Sequence, residues 1–194
     1  VKKGCVDVRS YLALLPVVLL VACSANDPEV QLPPTRISED SQLLDMVDLD
    51  GRYIDSMLIA PGGLENLSPG GEVTITFEAT GLTRVRQFEI VVALSPLSAF
   101  TVDRSIFRPQ RPFISPIASG IEFNEDGTLR LGGASLTSAS EGDQSLGTLT
   151  LTTSARLASL NDVTVEVTLI SLGPSFSDRD RFEGKDMHLG IAVK

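Results

Sequence analysis

Few side chains in this chain could do covalent or metal chemistry. The 194 residues hold two cysteines, Cys5 and Cys23, and one histidine, His188. No Ser-His-Asp hydrolase is supported, because no nucleophile-elbow sequence accompanies His188. One histidine also falls short of the usual zinc set. Asp48-Leu49-Asp50-Gly51 hints at a calcium loop. With Gly51 at loop position 6, however, positions 1 and 12 fall on Met46 and Met57, which offer no carboxylate. Asp178, Asp180, Glu183 and Asp186 form a second acidic cluster, interleaved with Arg179, Arg181 and Lys185. That pattern reads as a self-paired surface loop. Glycoside hydrolysis needs two converging carboxylates and aromatic rings to hold sugar. The chain has no Trp and only two Tyr. No catalytic residue, metal or cofactor is expected.

The one cysteine with a legible task is Cys23. Lys2, Lys3 and Arg9 precede an apolar run of 12 residues, Tyr11–Ala22. A permanent membrane helix needs about 20 apolar residues, whereas a signal-peptide core needs about 7–15. The run ends Leu20-Val21-Ala22-Cys23, which resembles the bacterial lipobox. The resemblance implies a lipoprotein signal peptide over residues 1–22 and lipidation of Cys23. Ser24 follows where an inner-membrane retention signal tends to have Asp. The implied location is the outer membrane or cell surface, outside the cytoplasm. Residues 24–40 are polar and carry Pro28, Pro33 and Pro34. Lipidated Cys23 and the stretch to residue 50 therefore read as a flexible, disordered tether, and residues 51–194 as one domain.

Charge narrows the partners. The formal net charge is −9. Loss of residues 1–22 takes 16 basic and 25 acidic residues to 13 and 24, near −11. Nucleic acid wants a basic face, and anionic lipid repels such a chain. Membrane contact is expected through the lipid anchor alone. Cys5 leaves with the signal, so no disulfide is available and stability must come from burial.

The domain must position any site with strands. Glu72–Ala79 alternates, with Val73, Ile75, Phe77 and Ala79 on one face. Gln87–Leu94, Thr128–Leu131, Thr148–Thr152, Asp162–Leu172 and His188–Lys194 repeat the period of two. Asn124–Thr128 reads as a hairpin connection between Ile121–Phe123 and Leu129–Leu131. Turn signals stand at Ser68–Gly71, Thr80-Gly81 and Gly173-Pro174. Gln42–Val47 and Leu136–Ser140 offer a helical turn or two at most. The expected fold is all-β: an antiparallel, jelly-roll-like β-sandwich.

Ser68-Pro-Gly-Gly-Glu-Val-Thr-Ile-Thr-Phe-Glu-Ala-Thr-Gly-Leu82 and Gln87-Phe-Glu-Ile-Val-Val-Ala-Leu-Ser-Pro96 resemble the opening of a cohesin domain. Leu131-Gly-Gly-Ala-Ser-Leu136 followed by Gly147-Thr-Leu-Thr-Leu151 resembles a later cohesin hairpin. The resemblance spans residues 55–194 and implies a non-catalytic binding module. Its partner would be a dockerin-bearing protein or, as in the related carbohydrate-binding modules of families 2 and 3, a polysaccharide. Ser95-Pro96 departs from the Asp-Pro typical there. The candidate binding loop is the Pro-rich, basic stretch with Phe107, Arg108, Arg111 and Phe113, joined by Tyr53 as an aromatic contact. The competing reading packs that stretch across the sandwich.

Overall fold

The computed structural model describes residues 47–49, 51–62, 68–160, 163–184 and 191–193. Cys23, the apolar run before it, the tether from 23 to 46, and His188 lie outside the described residues. So do Gln42–Met46, where the sequence suggests a helical turn.

Among the described residues, eleven strands form two antiparallel sheets. In chain order they are β1 (Val47–Asp48), β2 (Ser56–Gly62), β3 (Glu72–Val85), β4 (Gln87–Ser95), β5 (Ile106–Pro109), β6 (Gly120–Phe123), β7 (Thr128–Ala134), β8 (Ser140–Thr152), β9 (Val163–Ser175), β10 (Asp178–Glu183) and β11 (Ile191–Val193). One sheet runs β1-β2-β3-β8-β5. The other runs β10-β9-β4-β7-β6, with β11 paired to the far half of β9. The expected antiparallel sandwich is therefore the observed architecture. Sheet pairing already begins at Val47, ahead of the expected boundary at residue 51.

The alternating residues meet between the sheets. Val73, Ile75, Phe77 and Ala79 of β3 are buried, and so are Phe88, Ile90, Val92 and Leu94 of β4. A row of four rings ties the sheets together. Phe107 of β5 meets Phe77 edge-on at 6.5 Å and Phe88 at 6.2 Å, and Phe88 meets Phe113 at 5.2 Å. Each such pair contributes about 0.5–1.5 kcal/mol beyond its buried area.

Several local expectations shift. Leu136–Ser140 forms no helical turn; residues 136–137 bend and Ser140 opens β8. Thr80-Gly81 does not end β3. The strand continues to Val85 through bulges against β8, with Gly81 and Arg84 at positive φ. The hairpin at Asn124–Thr128 forms as expected. Asn124 N–H donates to the Thr128 carbonyl at 2.9 Å, and Gly127 adopts φ 90°.

β9 holds the irregularity that matters most. Val91 of β4 pairs with Leu169, but the next residue, Val92, pairs with Val167. Thr168 is the extra residue of a bulge. One inserted residue reverses the faces of everything beyond it. Val163, Val165 and Val167 point inward before the bulge. After it Ile170 and Leu172 are the core residues, both fully buried. Ser171 and Gly173 are thereby sent to the outer face.

Candidate functional site

Small residues on the outer face of the second sheet leave a groove of about 430 Å³. Strand register places its floor. Gln87 pairs with Ala134 on one side and Gly173 on the other, and Glu89 pairs with Gly132 and Ser171. Gly120 continues the row opposite Gly132. Glycine, alanine and serine here leave the backbone close to the surface.

Two walls rise from that floor. On the β6 side the segment before β6 carries Ile117, 88 % exposed. Ile114 fixes that segment through a parallel bridge to Ala134. Ser119 pins it further: its hydroxyl donates to the Phe113 carbonyl at 2.6 Å and accepts from Ala134 N–H at 3.0 Å. On the β10 side the β9–β10 turn raises Phe176, 74 % exposed. The Arg179 guanidinium lies 4.9 Å from the centre of the Phe176 ring.

Charges alternate obliquely across the same face. Arg130 of β7 approaches Glu122 of β6 at 4.0 Å and Glu89 of β4 at 3.0 Å. Arg179 of β10 holds the other oxygen of Glu89 at 3.2 Å. The row reads Glu122, Arg130, Glu89, Arg179. Arg179 starts beside Gly173, where an added Cβ would lie 2.6 Å from its Cα. To reach Glu89 it spans the patch made by Gly173, Gln87, Ser171 and Glu89. Within that patch Ser171 Oγ and Gln87 Nε2 are buried and have no hydrogen-bond partner among the described residues. An unpartnered buried polar group costs about 1–3 kcal/mol, and functional sites are one place where such groups stand.

The candidate binding loop divides differently from expectation. Tyr53, Phe107 and Phe113 are 7 %, 6 % and 0 % exposed and belong to the core. Their rings are therefore not a binding platform. Phe107 and Phe113 complete the aromatic row between the sheets, and Tyr53 is held by β10. Its amide donates to Asp180 at 2.7 Å and its hydroxyl to Asp178 at 2.7 Å. That hydrogen bond to the Asp178 carboxylate, helped by burial, raises the Tyr53 pKa. Arg108 and Arg111 stay exposed. Gln144 Nε2 donates to the Arg111 carbonyl at 2.8 Å, which fastens the loop to β8.

Asp178–Glu183 of the acidic cluster forms β10 and is paired largely with residues outside it, while Lys185 and Asp186 lie outside the described residues. Arg52 bridges to Asp178 at 3.2 Å and Asp180 at 3.4 Å, and Arg181 bridges to Glu183 at 3.2 Å. Among the described residues no three His, Cys, Asp or Glu side chains stand together as a metal site. The residues that build the groove, chiefly Ile117, Phe176, Ser171 and Arg179, do not stand out as a site in the sequence.

Comparison with solved structures returns cohesin modules, to which the chain is similar. One is the cohesin module of a family 33 glycoside hydrolase from Clostridium perfringens, with 18 % identity over 73 % of this chain and 96 % of that one, TM-score 0.48. Another is the second type II cohesin module from the ScaA scaffoldin of Acetivibrio cellulolyticus, with 10 % identity over 66 % and 89 %, TM-score 0.48. A third is the sixth cohesin of Acetivibrio cellulolyticus scaffoldin B, solved with a Cel5 dockerin, with 16 % identity over 55 % and 79 %, TM-score 0.42. No family model and no curated protein sequence matches the chain.

Proposed function

We propose that this chain is a non-catalytic, lipid-anchored module that binds another protein on the outer face of its second sheet. The observation that carries the reading is the groove between Ile117 and Phe176. Two large apolar side chains stand exposed on turns at either side of a sheet floor too small to fill the space between them. Exposed apolar groups rimmed by polar ones mark interaction surfaces. Aromatic and arginine side chains such as Phe176 and Arg179 are the types that dominate binding energy at such surfaces.

The resemblance of the strand sequences to cohesins names the partner class, a dockerin-bearing protein. Two of the similar cohesin modules were solved with a dockerin. Such a partner would belong to polysaccharide breakdown. Cys23 would carry the lipid and hold the module at the outer membrane or cell surface. Direct glycan binding is the weaker reading, because the three rings that could serve it lie in the core.

The full chain, immobilised and exposed to the native organism's secreted proteins, should retain a dockerin-bearing protein. An Ile117→Glu/Phe176→Glu variant should not. Retention of the chain on an insoluble glycan, with equal protein recovery from wild type and variant, would overturn the reading.

A further inference from the structure

We infer that the partner anchors itself in this groove with an acidic side chain, an aspartate or glutamate, seated over Ser171 and Gln87 beside Arg179. The inference rests on the protein-binding reading and names the partner group that the groove selects. Ser171 is 1 % exposed, and its Oγ has no hydrogen-bond partner among the described residues. The same holds for Gln87 Nε2, and both residues line the groove. A hydroxyl and an amide nitrogen both donate.

The surroundings of Ser171 add further donors. Asp180 of β10 reaches the Tyr53 amide and Phe182 packs against the core, so Arg179, Arg181 and Glu183 take the outer face. Register sets Glu89 beside Ser171 on β4 and Arg181 beside it on β10. Three cations, Arg130, Arg179 and Arg181, therefore stand around Ser171 with two carboxylates, Glu89 and Glu183. Both Glu89 oxygens are taken, Oε1 by Arg130 and Oε2 by Arg179. Glu183 Oε1 accepts from Arg181 Nε. Among the described residues Arg179 donates only through Nη1 and Arg181 only through Nε. Most N–H groups of each guanidinium are thus left for a ligand.

A patch with surplus donors and surplus positive charge selects a carboxylate, which accepts on two oxygens and donates nothing. A side-chain amide would turn an NH2 group toward cations. The chain as a whole is acidic, so the acid is chosen at contact and not by long-range steering. Arg179 covers the two buried atoms and must lift. It is held by one carboxylate oxygen and by the Phe176 ring. When the incoming carboxylate takes Arg179, Glu89 keeps Arg130. The charges stay paired, while Ser171 Oγ and Gln87 Nε2 gain acceptors that they lack in the free chain. Phe176 offers an apolar contact to a residue next to the acid.

The probes are acetyl-Leu-Asp-Leu-amide and its near-isosteric counterpart acetyl-Leu-Asn-Leu-amide. A leucine flanks the central residue whichever way either peptide lies. NMR titration of the 15N-labelled full chain in a non-ionic detergent should show the Asp peptide binding at least about tenfold more tightly at neutral pH, and shifting the Gln87 side-chain NH2 resonances. The preference should vanish as pH falls below about 4, where the peptide carboxyl is protonated. In Ser171→Ala and Gln87→Met it should fall toward unity. Ser171→Ala removes a hydroxyl that has no partner, so the fold is kept. Equal binding of the two peptides, tighter binding of the Asn peptide, binding of neither, or an undiminished preference in both variants would overturn the inference. Any of these results with dockerin capture intact strikes the acid anchor alone. An acid preference without dockerin capture strikes the partner reading alone.

Discussion

Arg179 and Glu89 are joined across an intervening strand. The guanidinium Nη1 of Arg179, on β10, donates to Glu89 Oε2, on β4, at 3.2 Å, with β9 lying between them. Their side chains are 22 % and 17 % exposed. The pair is more enclosed than an ordinary surface bridge, which contributes about 0–1 kcal/mol. Glu89 keeps Arg130 when Arg179 is lost. Arg179→Met should therefore lower stability by about 1 kcal/mol, measured by urea unfolding, and should open the patch over Ser171. An unchanged midpoint would show that Arg179 is not held in place.

Gly173 permits that crossing. A Cβ there would stand 2.5 Å from the Asp178 carbonyl oxygen and 2.6 Å from the Arg179 Cα, both backbone atoms. Neither can move without shifting β10. Gly173→Ala should cost about 1–3 kcal/mol, the usual range for overpacking. The same variant should weaken partner binding, because Arg179 and Phe176 move with the strand. A variant as stable as wild type would mean that β10 is loosely attached.

Phe113 and Ile117 lie four residues apart in one loop yet should behave oppositely. Phe113 is fully buried against Phe88, whereas Ile117 is 88 % exposed. Phe113→Ala should lose about 3–5 kcal/mol by leaving a cavity. Ile117→Ala should change stability by less than about 0.5 kcal/mol while reducing partner capture. Thermal and chemical unfolding separate the two.

Tyr53 gives a pH signature. Its phenol donates to Asp178, and this hydrogen bond with burial raises its pKa above the ordinary 10.0. A raised pKa means that the native state favours the protonated form. The resulting stability is fully present below the unfolded pKa and is lost as pH rises through the folded one. Tyr53→Phe should be less stable than wild type at neutral pH, and the gap should close above about pH 10. A gap that stays constant through that range would remove the hydrogen bond from the account.

How much of this is legible in the sequence depends on the element. Strands β3, β4 and β7 are readable because one face is buried and one is wet, which writes a period of two. The first half of β9 is readable for the same reason. Its second half is not, because the bulge at Thr168 reverses the faces without a composition signal. The alternation alone would send Ser171 and Gly173 inward, and the groove would vanish from view. β10 reads as a charged loop because Asp178–Glu183 holds one apolar residue, Phe182, which packs against the core but writes no period of two. Its charges are in fact satisfied by Arg52 and Glu89. Tyr53, Phe107 and Phe113 look like binding residues because proline and arginine surround two of them. Their neighbours from the other sheet, such as Phe88, are distant in sequence. The signal that could have found the real wall is Ile117: an isolated large apolar residue in a segment with no alternation.

The proposed lipid anchor at Cys23 has a direct check. Cys23→Ser should move the chain from the membrane fraction to the soluble fraction. Continued membrane association would contradict lipidation at Cys23.

The outer face of β10-β9-β4-β7-β6 is proposed to bind a protein. Calorimetric titration of the full chain with a dockerin-bearing protein from the same organism tests it most directly. Wild type should bind, and Ile117→Glu with Phe176→Glu should lose at least about tenfold in affinity, about 1.4 kcal/mol, while unfolding at the same temperature. Equal affinity in the two proteins, or no heat of binding from wild type, would contradict the account.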